Sequence, residues 1–260
     1  MVPEDRKKQI LELLEDRGYL TVEEIARSLY ISPPTVRRDL KAMDEEGIIR
    51  RTHGGASHIN SERKEYPFEL RTRTCIEEKR IIGRLAAQLI KENDHLFIDT
   101  GSSCYAMVEA LPVDIGLTVL TNCIPTLQAL SQRPRLILEC PCGRYNPQHR
   151  SICGEEASRF IHTRYAHYYI ASATGISVQN GVNLLSDMDL EVKRAMMSQA
   201  DQTVLLMDHS KINKCYYYKA FDISDVDILI TDRSLPDDLA EACRKKGVRV
   251  ITPKSVEKQL

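Results

Sequence analysis

The stretch from Ile31 to Met43, I-S-P-P-T-V-R-R-D-L-K-A-M, decides how the rest of the chain is read. Ser32 is a good N-cap residue, and Pro33 suits the first helical position, where a missing N–H costs nothing. Val36, Leu40 and Met43 recur at i, i+4 and i+7 and so form one apolar stripe. At about 100° per residue, Arg38 and Lys41 point almost opposite that stripe, with Thr35 and Arg37 on its flanks. Guanidinium, ammonium and a small hydroxyl on an outer face suit a DNA major groove. Arg pairs with guanine O6 and N7, and Thr reaches a phosphate or a thymine methyl. On these thirteen residues alone, a basic face that is merely solvated fits as well.

Upstream, Arg6 to Asp16 reads as a helix with Ile10, Leu13 and Leu14 buried and Gly18 as its stop. Thr21 opens a second helix as a capping box with Glu24, and Ile25, Ala26 and Leu29 form its inner face. The short connection Tyr30-Ile31-Ser32 leads into the basic helix, which is the helix-turn-helix arrangement. Downstream of Gly47 comes I-I-R-R-T-H-G-G-A. Ile48 and Ile49 start a short strand, and Arg50, Arg51 and His53 sit where a β-wing meets backbone phosphates. Gly54 and Gly55 permit a tight turn against another backbone.

Charge does not mark the whole chain as a nucleic-acid binder. The 260 residues hold 36 Lys and Arg against 37 Asp and Glu, a net of −1. Residues 1–60 hold ten Lys and Arg against eleven acids, so any DNA surface is local to one helix face and the wing. So small a patch implies modest affinity per copy, and hence a dimer or higher oligomer on repeated half-sites. No run approaches the roughly 18 apolar residues of a membrane helix, and the start M-V-P-E-D-R-K-K lacks a signal-peptide core. The eight Cys are scattered, which suits reduced thiols in a cytoplasmic protein. Cys140-Pro-Cys142, the one close pair, lacks a second pair or a neighbouring His, so no metal or other cofactor is expected.

T-V-E-E-I-A-R-S-L-Y-I-S-P-P-T-V-R-R-D-L followed by G-I-I-R-R-T-H-G-G-A resembles the amino-terminal domain of the DeoR family of bacterial transcription regulators. The likeness runs over residues 5–57 and its motifs are specific. It implies that Ser32, Thr35, Arg37, Arg38, Lys41, Arg50, Arg51 and His53 form a DNA-binding set, and that double-stranded operator DNA is the partner. The expected organisation is a winged helix-turn-helix domain at 1–57, a polar linker at 58–74 and an α/β domain at 75–260.

From Cys75 onward the text alternates helix and strand. Glu77 to Glu92 reads as a helix with Ile81, Ile82, Leu85, Ala86 and Leu89 buried. Seven short apolar runs follow: H-L-F-I-D, L-T-V-L-T-N, R-L-I-L-E-C, H-Y-Y-I-A-S, T-V-L-L-M-D, D-I-L-I-T-D and V-R-V-I-T. That is the signature of an α/β fold with a mainly parallel sheet, whose ligands bind beyond the carboxyl ends of strands. Four strand ends are polar: Asp99 to Ser103, Thr121-Asn122, Ala173 to Ile176, and Asp208 to Lys211. The first leads into a helix whose backbone N–H groups suit a phosphate. Asn122 suits sugar hydroxyls, and Lys211 neutralises an anion. Neither G-x-G-x-x-G nor a Walker A sequence is present, which disfavours dinucleotides and nucleoside triphosphates.

This half is also similar to the DeoR-family effector domain, itself similar to ribose-5-phosphate isomerase. The matching stretches are D-T-G-S-S, T-N, the turn at 142–143, S-I-C-G, G-I-S, E-V-K-R-A-M at 191–196 and D-H-S-K. The resemblance implies a phosphorylated sugar as effector, a homo-oligomer (dimer or tetramer), and Asp99, Gly101, Ser102, Ser103, Asn122, Lys193 and Lys211 as effector-site residues. Two departures bear on ligand preference: Cys142-Gly143 where the family often has Gly-Gly, and His209 where Ser is common. The competing reading is a sugar-phosphate isomerase with a fused DNA-binding domain, for which Asp99, Asp208 and Glu191 are available as proton-transfer bases. No spacing marks an acid/base pair among them.

Overall fold

The computed structural model describes residues 3–46, 48–52, 54–58 and 68–257. The chain divides into two compact units, parted between Leu70 and Arg71. Most of the expected linker, residues 59–67, lies outside the described residues.

The first unit comprises α1 (Pro3–Arg17), β1 (Tyr19–Thr21), α2 (Val22–Leu29), α3 (Pro33–Glu45), β2 (Ile49–Thr52) and β3 (Gly55–His58). Its core joins Ile10 and Leu14 of α1, Val22 and Ile25 of α2, and Val36, Leu40 and Met43 of α3, with Leu20, Ile49 and Ala56 from the strands. The stripes read from the sequence are therefore the faces that pack, with Leu13 and Leu29 at the margin. Thr21 and Glu24 close the expected capping box: the Glu24 N–H donates to Thr21 Oγ1 at 3.2 Å, and the Thr21 N–H donates to Glu24 Oε2 at 2.8 Å. Gly18, at φ +76°, turns the chain out of α1.

Two details differ from the expectation. Tyr19–Thr21 is a strand, so the wing is a three-stranded antiparallel sheet of order β1-β3-β2. Ser32 occupies the N-cap position, but its hydroxyl bonds Thr35 Oγ1 at 2.8 Å and caps no N–H. Pro33 and Pro34 fill the first two helical positions and carry no N–H, and at the third Thr35 meets the Ser32 hydroxyl with its own side chain.

In the second unit, α4 (Phe68–Arg73) crosses the division, and α5 (Ile76–Ala87) then packs Ile82, Leu85 and Ala86 against the sheet. β4 (His95–Ile98), α6 (Ser102–Ala110), β5 (Leu117–Thr121), α7 (Ile124–Leu130) and β6 (Leu136–Glu139) build one half. A hairpin of β7 (Arg144–Asn146) and β8 (Ser151–Cys153) leads to α8 (Glu155–Ile161) and β9 (Ala166–Ala171). β10 (Gly175–Ser177), β11 (Gly181–Leu184), α9 (Leu190–Ser198), β12 (Ala200–Leu206), β13 (Tyr218–Phe221), β14 (Ile228–Ile230), α10 (Asp237–Lys245), β15 (Arg249–Ile251) and α11 (Pro253–Glu257) complete it.

All seven apolar runs are strands of one sheet, ordered β15-β14-β12-β9-β4-β5-β6 and parallel at every pairing. Separate apolar clusters cover its two faces, which is why the strands read as unbroken apolar runs. The order turns back on itself at β4: later strands go to one side as β5 and β6, then to the other as β9, β12, β14 and β15. The crevice at the carboxyl ends of β4 and β9 is thus the topological switch point, where open α/β sheets take ligands. A second, antiparallel sheet, β10-β11-β13, lies outside the seven runs. No helix among the described residues is long and apolar enough to cross a membrane.

Candidate functional site

The outer face of α3 carries Arg37, Arg38 and Lys41, all exposed, with exposed Ser32 and half-buried Thr35 at its start. Arg37 faces Glu23 at 3.4 Å and Lys41 faces Glu45 at 3.7 Å. Both pairs are solvent-exposed, and such pairs contribute little and exchange readily for a phosphate. Arg38 makes no ion pair among the described residues.

What anchors this face lies behind it. Arg6 of α1 grips Asp39 of α3 with two bonds, Nε to Oδ2 at 2.7 Å and Nη2 to Oδ1 at 3.0 Å, and both side chains are buried. A bidentate pair fixes angle as well as distance, so it holds α3 in rotation. This pair escaped the sequence reading. Its signal was an acid at Asp39, between Val36 and Met43 on the buried side of the helix.

In the wing, Arg50 and Arg51 are both exposed. Successive strand residues point to opposite faces, so the two arginines do not address the same surface. Arg51 shares the side of buried Ile49, and its N–H donates to Asp44 Oδ1 at 2.9 Å. Gly54 stands at φ +90°, and a Cβ on Gly55 would lie 2.3 Å from Leu20 O; the H-G-G-A motif thus lets β3 close onto β1. His53 lies outside the described residues.

The second candidate site gathers at the carboxyl ends of four adjacent strands, in the order β12-β9-β4-β5. Asp99, just past β4, is fully buried. Its carboxylate accepts the Thr100 N–H at 2.8 Å, the Ser172 N–H at 3.1 Å and the Lys193 ammonium. Lys193 also donates to Ser172 O at 3.0 Å. Burial would lower the Lys193 pKa, but the facing carboxylates Asp99 and Asp189 raise it, so the ammonium stays charged. Asp99 and Lys193 therefore satisfy each other in the interior. They hold the end of β9 in place through Ser172.

The neighbours of this pair carry spare capacity. Lys211 is half-buried, and its Nζ lies 3.2 Å from Ser172 Oγ. Ser103 Oγ, Asn122 Oδ1 and Asp208 Oδ2 are buried without a hydrogen-bond partner. Buried polar atoms are rarely left so, and each would gain from a bound polar molecule. Asn122 Nδ2 is held by Ile152 O at 3.0 Å, which fixes the direction of its oxygen. Ser102 and Ser103 open α6, whose N-terminus has no side-chain cap. Gly101 is set by packing: a Cβ there would lie 2.3 Å from Ser172 Cβ.

Three supporting groups were not singled out from the sequence. Asp189 accepts from Ser151 Oγ at 2.9 Å and pairs with His149 Nδ1, tying the β8 region to α9. Burial opposes ionisation of Asp189, but the His149 bond and Lys193 bring its pKa below the usual value. Ser172 contacts both lysines, and only its place at the polar end of Y-Y-I-A-S hinted at that. Lys79 of α5, also buried, donates to Arg71 O at 2.5 Å and Thr74 O at 2.7 Å and faces Asp208 Oδ2 at 4.0 Å. Its signal was a lysine three residues before Ile82 on the buried stripe. Burial, with Lys211 adding to it and Asp208 opposing, brings the Lys79 pKa down to about 8.

The acids offered as isomerase bases are occupied or remote. Asp99 is paired with Lys193, Asp208 accepts the Ser210 N–H on Oδ1 at 3.1 Å while its unbonded Oδ2 faces the Lys79 ammonium at 4.0 Å, and Glu191 is exposed on α9. Among the described residues, Glu78, His209 and Asp232 are grouped closely enough for a metal ion. Asp232, however, already accepts the His209 N–H at 2.7 Å and Arg233 Nε at 2.9 Å, and the guanidinium supplies the positive charge there.

A helix-turn-helix with a basic outer face, coupled in one chain to an α/β unit with a polar cleft at its switch point, defines a DNA-binding regulator with a sensor domain. Residues 6–62 match the DeoR-like helix-turn-helix domain, and residues 74–233 match the DeoR C-terminal sensor domain. The chain is 31% identical over 257 residues to the HTH-type transcriptional repressor GlcR of Bacillus subtilis, covering 99% of each. It is 28% identical over 248 residues to the L-fucose operon activator of Haemophilus influenzae, covering 95% of this chain and 98% of that one. The protein belongs to the DeoR family of transcription regulators and is a regulator rather than an enzyme. Among solved structures, ribose 5-phosphate isomerase A from Neisseria gonorrhoeae aligns over 52% of each chain with 19% identity and a TM-score of 0.37.

Proposed function

We propose that the protein is a cytoplasmic repressor of a carbohydrate-utilisation operon, released from its operator by a phosphorylated sugar. Residues 1–57 act as the DNA-binding module, 58–74 as linker and 75–260 as the sensing and oligomerising module. Ser32, Thr35, Arg37, Arg38 and Lys41 address the groove, and Arg50, Arg51 and His53 the flanking phosphates, Arg50 and Arg51 from opposite faces of β2. A dimer or tetramer places two such faces on repeated half-sites.

One observation carries the ligand assignment. Lys211, the uncapped start of α6 and the buried, unbonded Ser103 Oγ and Asn122 Oδ1 all belong to adjacent strand ends at the switch point. An ammonium and a helix N-terminus suit a phosphate; an amide oxygen and a hydroxyl suit the sugar. Asp99 and Lys193 keep the frame. To change operator occupancy a hundredfold, the effector must favour the released state by about 2.7 kcal/mol.

The test is binding of the full chain to the DNA upstream of its own gene, at fixed salt, with a panel of phosphorylated sugars. Release by one compound supports the repressor reading and names the effector. Specific binding that every compound leaves unchanged removes the ligand class. Because one relative is named an operon activator, the sign of regulation is read separately, from transcription of the adjoining operon with and without the protein.

A further inference from the structure

Tyr30 has no part in either site described so far, yet its place is unusual. It joins α2 to α3 and is 96% exposed. Its backbone is left-handed, φ 54° and ψ 42°, a conformation that strains a residue with a Cβ and suits Gly or Asn better. The backbone geometry itself has a purpose: the Tyr30 and Ile31 N–H groups turn back to Arg27 O at 3.4 Å and Ala26 O at 3.0 Å, closing α2. None of this needs an aromatic side chain. The ring makes no contact that would explain its choice among the described residues.

The surroundings indicate what the ring faces. When the second helix of such a pair enters the major groove, the first crosses the DNA backbone, so the turn between them stands at the groove wall. The start of α3 offers a phosphate few backbone donors. Pro33 and Pro34 have no N–H, and the Val36 N–H is bonded to Ser32 O at 3.1 Å. A side-chain donor just ahead of the helix would make up that shortage.

We propose that Tyr30 is a DNA-backbone clamp, its ring lying along a deoxyribose at the edge of the groove that α3 enters and its hydroxyl donating to the adjoining phosphate. The clamp rests on the DNA-binding role of α2 and α3. It positions α3 without reading bases, as phosphate contacts do.

Full-length Tyr30→Asn and Tyr30→Phe, with Arg38→Ala alongside, are titrated at fixed salt against the duplex upstream of the gene and a scrambled duplex. Asn suits the left-handed backbone and Phe keeps the ring. Each Tyr30 variant is expected to bind both duplexes about tenfold more weakly, the size of one hydrogen bond to a charged group. The melting temperature of Tyr30→Asn is expected to equal or exceed that of the wild type. Wild-type affinity in Tyr30→Phe overturns the phosphate contact. A loss confined to the upstream duplex overturns it too, by making Tyr30 a base reader. A changed oligomeric state with unchanged affinity assigns the ring to a second copy of the chain and overturns the clamp. If Arg38→Ala weakens binding while both Tyr30 variants do not, only the clamp falls; if all three bind as wild type, the DNA-binding face itself is misassigned.

Discussion

Arg38 and Lys211 are the two side chains whose removal is expected to separate the two tasks proposed for the protein. Arg38 projects from the exposed face of α3 without an ion pair among the described residues. Arg38→Ala is expected to cost about 1–3 kcal/mol in operator binding and to relax base preference at one position. A binding assay against single-base operator variants reads both, and an unchanged profile removes Arg38 from the reading set. Lys211 touches Ser172 Oγ from a half-buried position. Lys211→Ala is expected to leave DNA affinity intact and abolish release by the effector. Normal release in that variant would refute the phosphate assignment. The pairing of Asp99 with Lys193 is of a different kind: removing either member strands a buried charge, so loss of response in those variants would report on folding as much as on recognition.

At the scale of elements, the turn from β4 into α6 is pressed against the end of β9. Gly101→Ala would put a Cβ 2.3 Å from Ser172 Cβ and 2.9 Å from Cys104 Sγ. The expected cost is about 1–3 kcal/mol, as for other overpacked interiors, measured by denaturant unfolding. Adding Ser172→Gly, which removes the opposing Cβ, is expected to recover part of it; wild-type stability in Gly101→Ala would disprove the contact. Elements of this kind differ in how openly the sequence declares them. The inner strands of the seven-stranded sheet are buried on both faces, and runs such as L-F-I and V-L-L therefore stand out. Thr21 and Glu24 announce α2 because a capping box is local. By contrast, β1, β7, β8, β10, β11 and β13 span only three or four residues each, and their identity comes from partners far along the chain. The same distance hid the core of the sensor site. Asp99 and Lys193 are 94 residues apart, and Arg6 and Asp39 are 33 apart, so neither pair leaves a spacing to notice. The polar strand ends were legible; which of them bond each other was not.

For the whole molecule, the network around Lys79 gives stability a pH dependence. Lys79 faces Asp208, Lys211, Cys75 and Arg71, and burial brings its pKa from 10.5 down to about 8. The folded chain thus holds this proton less firmly than the unfolded chain. Its unfavourable contribution is present in full below about pH 8 and fades as pH rises towards 10.5, a change of up to about 3 kcal/mol. Against Lys79→Met, which has no proton to lose, the wild type is expected to gain relative stability between pH 7.5 and about 10. Urea unfolding of both proteins across that range measures the difference, and a flat difference would exclude a depressed lysine.

The two units also have separate cores. α3 rests on Ile10, Leu14, Val36, Leu40 and Met43, whereas the strand ends rest on residues of the sheet and its covering helices. Neither Arg38 nor His209 lies in the apolar core that supports the other. On the proposed function, substitutions that re-address the protein to a new operator are expected to accumulate without disturbing the core beneath the strand ends, and a new signal to be adopted while the address is kept. Such a chain can be rewired at either end independently, which lets one scaffold diversify across many operons.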